Sequence, residues 1–326
     1  MKQILIIGAG QLGSRHLQGV LKSELNLEVS VVDPNPLSLI IAKSRADEIK
    51  HDKSINFLES IEFVSKKVDI AIVATNANVR EKVVAELLQS ITVKFLILEK
   101  VLFQDIAAYE KIGGLINDYK VKTWVNHPRR VFEHYREIKK HIDENNLSLK
   151  SFLATGNNWG LGCNGLHLLD ICSYLSNNSG IKTINTNQLD KNILPSKREG
   201  FIEFTGSLSV YFENNLHAEI NSNNTVSGSI TIFIATEKDK WLIHESNKIT
   251  VIHIDDKQET PIKIAEFNPQ FQSNLSTFLV QDLLTLKSCK LPTYKEASKL
   301  HKPFIEALLN FQNEIEVNHQ VHLKIT

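Results

Sequence analysis

Through about residue 125, short apolar runs alternate with segments whose apolar residues recur every three or four positions. The runs at residues 3–7, 29–33, around Phe57, 69–74, 94–98 and 121–126 have the length and β-branched content of buried strands. Between them, Leu17, Val20 and Leu21 mark one helix face, Leu37, Ile40 and Ile41 a second, Val79, Val83 and Leu87 a third, and Ile106, Ile112 and Leu115 a fourth. Strand and helix in strict alternation predict a doubly wound parallel sheet with right-handed crossovers. Ligands of such sheets bind beyond the carboxyl ends of the strands, so the residues just after each strand are where function is expected.

After residue 145 the pattern changes. A strand near 147–154 leads into a Gly/Asn-rich turn at 156–162 and a helix over 164–175. Long alternating runs follow at 201–212, 230–236, 240–244, 248–254 and 262–267, separated by polar turns such as 221–224 and 237–239, and they predict an antiparallel sheet with one covered face. Two helices close the chain, one striped by Leu275, Phe278, Leu279, Leu283 and Leu286 and the other by Ala297, Leu300, Phe304, Leu308 and Phe311. Thr293 and Glu296 form a capping-box pattern, and Pro303 predicts a kink or break in the last helix. The expected fold is α/β. A Rossmann domain spans 1–125, and an α+β domain for substrate binding and oligomerisation spans 126–326, with the helices of 273–316 packing back toward the first domain.

The first thirty-three residues carry a complete nucleotide-binding pattern. A strand runs into Gly8-Ala9-Gly10-Gln11-Leu12-Gly13, a helix follows, and a second strand ends in Asp33. Gly8 allows the tight turn, Gly10 lets the backbone approach a pyrophosphate, and Gly13 lets the helix pack against the sheet. The phosphates meet the helix N-terminus, whose unpaired N–H groups favour an anion. Asp33, about 20 residues past the last glycine, is placed to accept hydrogen bonds from the adenosine ribose. Its charge repels a 2′-phosphate, and Pro34, Asn35 and Pro36 offer no arginine to hold one, so NAD is expected over NADP.

Composition narrows the remaining classes. Thirty-seven basic residues balance thirty-seven acidic ones, so no global field draws the chain to nucleic acid or an acidic membrane. Cys163, Cys172 and Cys289 have neither CxxC nor metal-finger spacing; reduced thiols and no metal site are expected. The first strand begins without a secretory leader pattern, and no apolar run is long enough for a bilayer, so a cytoplasmic enzyme is expected.

Two charged segments follow strands: Glu99-Lys100, and Asn126-His127-Pro128-Arg129-Arg130. Together with the glycine motif and its Ser14-Arg15-His16, with Ala74-Thr75-Asn76, and with a helix carrying His167 and Asp170, they make the chain resemble the glucose-fructose oxidoreductase/inositol dehydrogenase (Gfo/Idh/MocA) family nearly end to end. The resemblance implies an NAD(P)-dependent dehydrogenase of a sugar, cyclitol or nucleotide-linked sugar. It also implies that Lys100 and His167 line the substrate side of the nicotinamide. Gly8, Gly10, Gln11, Leu12, Gly13, Asp33, Thr75, Asn76 and Glu99 are then the expected cofactor residues.

The chemistry suits those two side chains. As hydride leaves an alcohol carbon, an ammonium can stabilise charge on oxygen and an imidazole can take the proton. Asp170, three residues beyond His167, is placed either to orient the imidazole or to bind a hydroxyl, and Tyr174 extends that face. Asn126 and Asn164 are expected to meet substrate hydroxyls. Arg129 and Arg130 are candidates for an anionic substrate group, with Lys197 and Arg198 weaker ones.

Two positions depart from the family pattern. Val101 follows the lysine where proline is common, and Cys163 stands where many members carry aspartate. Asn157-Asn158-Trp159-Gly160 is similar to a branch associated with surface-polysaccharide biosynthesis. The expected partners are a sugar or nucleotide-sugar and further copies of the chain, as a dimer or tetramer. The alternatives are a carbonyl or imine reductase on the same scaffold and a non-catalytic regulator that binds dinucleotide and sugar.

Overall fold

The computed structural model describes every residue except 227, 256 and 258–260. The chain divides into two compact units, each assembled from three segments: Met1–Phe103, Ala107–Pro128 and Gln270–Lys295 in the first, and Gln104–Ile106, Arg129–Pro269 and Glu296–Thr326 in the second. The sequence pattern suggests a single boundary near residue 125; the units instead exchange chain at four further points, two around the short segment Gln104–Ile106 and one each around residues 270 and 295.

The first unit contains β1 (Lys2–Ile7), α1 (Gln11–Leu21), β2 (Leu27–Val32), α2 (Pro36–Asp47), β3 (Ser54–Leu58), β4 (Lys67–Val73), α3 (Ala77–Ser90), β5 (Thr92–Leu98), α4 (Ile106–Asp118, all but its first residue) and β6 (Lys122–Val125). The strands form one parallel sheet in the order β3-β2-β1-β4-β5-β6, the Rossmann arrangement. Ile4 to Ile7, Ile70 to Val73 and Phe95 to Leu98 are buried without interruption, as strands covered on both faces must be. Leu17, Val20 and Leu21 bury α1 as expected. On α2 the expectation fails: Leu37, Ile40 and Ile41 are exposed, and the helix is seated through Leu39 and through Ala42 and Ala46, the two alanines allowing close approach.

The second unit contains α5 (Glu133–Glu144), β7 (Leu149–Asn157), α6 (Leu161–Leu175), β8 (Ile181–Leu189), β9 (Leu194–Pro195), β10 (Ile202–Glu203), β11 (Gly206–Phe212), β12 (His217–Asn223), β13 (Ile230–Thr236), β14 (Asp239–Glu245), β15 (Ile249–Asp255) and β16 (Pro261–Phe267). Eight strands form an open sheet in the order β16-β15-β14-β13-β7-β12-β11-β8. Among the described residues its pairings are antiparallel except for the parallel pair β7–β12. Phe152, Ala154, Ile220, Ile232, Ile234 and Ile243 point to the covered face. On the other face Leu153, Phe233, Leu242, Ile252 and Ile264 stand in register across five strands. The run read as one strand over 201–212 divides at Gly206, which adopts φ +99° and whose added Cβ would lie 2.4 Å from the Gln188 carbonyl oxygen.

The chain ends in α7 (Gln272–Thr285), in the first unit, and α8 (Tyr294–Ile315), most of it in the second. In α7 Leu275, Leu279 and Leu283 are buried, whereas Phe278 and Leu286 are exposed. Pro303 does not break α8: Leu300, Phe304, Ile305 and Leu308 are buried around it, and that packing holds the helix through the missing backbone bond.

Candidate dinucleotide and substrate sites

In the first unit the turn after β1 has the geometry its glycines require. Gly8 has φ +94°, and an added Cβ would sit 2.9 Å from the Ala74 backbone. At Gly13 the added Cβ would fall 1.7 Å from the Gly8 carbonyl oxygen, so α1 can start where it does only without a side chain there. Gly10 differs: nothing lies within 4 Å of its Cβ direction. The helix it caps has no side-chain cap and no acid in its first turn, which leaves its positive end to an anion. Asp33, at the end of β2, accepts from the Ala9 N–H at 2.7 Å and the Asn35 N–H at 2.9 Å, one on each oxygen. A carboxylate offers about four acceptor sites, so capacity remains for ribose hydroxyls. After β4, the Thr75 hydroxyl is screened from solvent and has no partner among the described residues, while Asn76 is exposed at the start of α3. These features fit a dinucleotide.

Arg45 was not anticipated by the sequence reading. From the last turn of α2 it donates to the Gln11 carbonyl at 3.1 Å, and to the Gln11 side chain and the Ser14 hydroxyl at 2.5 Å each. It therefore clasps the start of α1 and adds a cation beside it.

Beyond β5 and β6, Glu99 and Asn126 are brought together, with both side chains engaged internally. Glu99 accepts from Asn126 and is 2.8 Å from His16 Nε2; His16 Nδ1 is 2.8 Å from the Ser276 hydroxyl; Asn126 also donates to Gln272 at 2.8 Å. Burial pushes the Glu99 carboxyl up, yet the hydrogen bonds from His16 and Asn126 and the charges of His16 and Arg80 outweigh it and hold it below its ordinary value. Glu99 and Asn126 thus belong to one buried network that ties the ends of β5 and β6 to α1 and to the start of α7. Lys100 follows it, half-buried, and the Lys100–Val101 peptide is cis. Buried Arg80, from α3, donates to the carbonyls of Thr75, Val101 and Leu102 and so ties down the segment that carries Lys100.

In the second unit His167 is half-buried on α6, and Asn164 donates to the Trp159 carbonyl at 2.7 Å, closing the turn before that helix. Glu203 was also missed by the sequence reading. From β10 it accepts from the N–H groups of Gly162 at 2.8 Å and Cys163 at 3.1 Å, so the positive end of α6 already holds a carboxylate.

Arg129, Arg130 and Asp170 are engaged in ion pairs within the second unit. Arg130 grips Asp170 through two bonds of 2.8 Å, with both side chains buried; burial raises the Asp170 carboxyl and the guanidinium opposes it. Arg129 meets Glu245 at 2.6 Å, and Tyr135 donates to the same carboxylate at 2.8 Å. Burial raises the Glu245 carboxyl, but Arg129 and Tyr135 prevail and lower it. Each guanidinium already has a carboxylate partner within the fold, Arg130 in a buried pair and Arg129 in a half-buried one.

Residues 2–127 match the model of the GFO_IDH_MocA oxidoreductase family with its NAD-binding Rossmann fold. That likeness covers this part of the chain. Comparison with curated proteins gives no match. Solved structures share the fold over nearly the whole chain. An oxidoreductase from Agrobacterium radiobacter in complex with NAD+, L-tartaric acid and magnesium is 11% identical, with TM-score 0.72 and 97% of each chain covered. UDP-N-acetylglucosamine 3-dehydrogenase from Acidithiobacillus ferrooxidans is 12% identical, with TM-score 0.71, covering 96% of this chain and 99% of that one. A super-repressor mutant of Gal80p from Saccharomyces cerevisiae is 14% identical, with TM-score 0.71, covering 97% and 99%. Among the described residues, no helix is long and apolar enough to cross a membrane.

Proposed function

We propose that this protein is a cytoplasmic NAD-dependent oxidoreductase that interconverts a secondary hydroxyl and a ketone on a sugar, sugar acid or nucleotide-sugar. The observation that carries the reading is the turn after β1: an open approach at Gly10, an uncapped helix start, and Asp33 held by the Ala9 N–H. The preference for NAD rests on the Asp33 carboxylate, which repels a 2′-phosphate. The dinucleotide, once bound, supplies the hydride acceptor or donor. Lys100 stabilises negative charge on the substrate oxygen, and His167 takes or returns the hydroxyl proton. The apolar row on the open sheet face, from Leu153 to Ile264, supports assembly of the chain with copies of itself.

Fluorescence titration tests the cofactor half: NADH binds more tightly than NADPH, and Asp33→Ala narrows the gap on the order of tenfold. Equal affinities in the unaltered protein would overturn the NAD assignment. Turnover tests the catalytic half on nucleotide-sugars, acidic sugars and cyclitols, read by nicotinamide absorbance in both directions. Lys100→Met keeps dinucleotide binding but slows hydride transfer by a factor on the order of 100; normal turnover in this variant and in His167→Asn would dismiss the pair.

The second reading, a regulator that binds dinucleotide and sugar without transferring hydride, is favoured by Cys163 and by the fold shared with Gal80p. It expects binding but no transfer across the panel. Transfer restored by Cys163→Asp would identify a decayed enzyme, although a carboxylate there enters a helix start that already holds Glu203.

A further inference from the structure

We infer that His141, Asp239 and His253, in the second unit, form a site for one divalent transition-metal ion of the zinc class. His253 Nε2 lies 2.8 Å from Asp239 Oδ1, and His141 Nε2 lies 3.0 Å from Asp239 Oδ2. One ligand atom from each residue falls within 4.8 Å of the other two. Around a tetrahedral zinc, with bonds of about 2.0–2.2 Å, the ligand atoms stand roughly 3.3–3.5 Å apart. Small side-chain movements therefore bring the three onto one ion, and His141, the most exposed of them, has room to make them. Two neutral imidazoles and a carboxylate are the donors that zinc and its neighbours favour.

The supports for these ligands are already in place. Thr236 Oγ1 accepts from the Asp239 N–H at 2.9 Å and fixes the turn between β13 and β14. Trp241 and His253 are directly opposed across β14 and β15, and their rings stack at 4.8 Å with 14° between planes. His141 stands edge-on to Trp241, with centroids 5.6 Å apart. A ligand set held in this way loses less freedom when an ion arrives. Three protein ligands leave a fourth coordination position, and His141 and His253 border a cavity of about 170 Å³ whose wall includes His134, Glu137, Lys263 and Phe267. His134 Nε2 is buried and has no hydrogen-bond partner among the described residues. The competing explanation is a metal-free hydrogen-bonded clasp that pins α5 to the sheet.

The full chain, stripped with a chelator, is titrated with Zn2+ by calorimetry and with Co2+ by visible absorbance. The site predicts saturation at one ion per chain and Co2+ d–d bands typical of four- or five-coordination. His141→Gln and Asp239→Asn should each weaken Zn2+ binding on the order of 100-fold, with unchanged circular dichroism and NADH affinity. Absence of saturable binding to the unaltered chain would overturn the site whatever the variants do. So would Zn2+ affinity that both folded variants retain, which would place the ion on other histidines. NADH binding is read separately, so failure here leaves the dinucleotide assignment untouched.

Discussion

The dinucleotide turn of the first unit and the arginine pair of the second were both expected to meet anions, and they differ in what they are made of. The turn is mostly backbone: helix N–H groups, the absence of a Cβ at Gly10, and one carboxylate positioned by the Ala9 N–H. Backbone cannot neutralise its own partial charge, so the site stays receptive. The pair is made of side chains, and a buried guanidinium without a counter-charge carries a desolvation penalty of several kcal/mol. Arg129 and Arg130 are therefore found on Glu245 and Asp170. Positive charge in a sequence marks an anion site only when nothing within the fold claims it.

The largest expected effect breaks this comparison from the arginine side. Arg130→Met keeps much of the stem but leaves Asp170 buried and uncompensated, which should cost about 3–5 kcal/mol in chemical denaturation. Unchanged stability with a raised substrate KM would mean that the guanidinium serves a ligand after all.

Next in size is a contrast within the turn. Gly13→Ala should lose about 2–3 kcal/mol, because its Cβ meets the Gly8 carbonyl oxygen and the backbone must shift. Gly10→Ala, with open space around its Cβ, should stay within about 0.5 kcal/mol of the parent while weakening NADH about tenfold or more. Thermal melts and NADH titration of the two variants separate a packing glycine from a ligand-facing one. Equal behaviour would remove the basis for placing a pyrophosphate at Gly10.

The same contrast explains what the sequence made legible. The nucleotide turn and the parallel sheet depend on neighbours within a few dozen residues, and spacing alone exposed them. Arg130 depends on a partner 40 positions away and Arg129 on one 116 away, and no local pattern reports either. Glu203 caps α6 from 41 positions beyond Gly162. Helix α5 escaped notice because its buried stripe is His134, Tyr135, Ile138 and Ile142 in an otherwise charged segment. Strand β12 was missed for a similar reason: it alternates, but with Ala218, Ile220 and Ser222 as its buried set, and its parallel pairing with β7 follows from topology alone. Leu37, Ile40 and Ile41 misled in the opposite sense, since helical spacing of large apolar residues does not say which face meets the sheet when alanines offer a closer fit.

Arg45 tests the smallest difference between the two regions, because it is a side-chain cation attached to the backbone site. Its three bonds go to Gln11 and Ser14, neither of which carries charge, so unlike Arg129 and Arg130 it retains its field while holding the helix start in place. Arg45→Met should therefore weaken NADH only about threefold, the loss of a partly exposed positioning contact, and the loss should shrink as salt screens the cation's attraction for the pyrophosphate. Stability should change by about 1 kcal/mol or less. The comparison with NADPH sharpens the cofactor assignment: if Arg45 acts only on the shared pyrophosphate, both dinucleotides weaken by the same factor. A much larger loss for NADPH would mean that the guanidinium reaches a 2′-phosphate, and the repulsion assigned to Asp33 would then be offset by a cation that the residues directly after it do not supply.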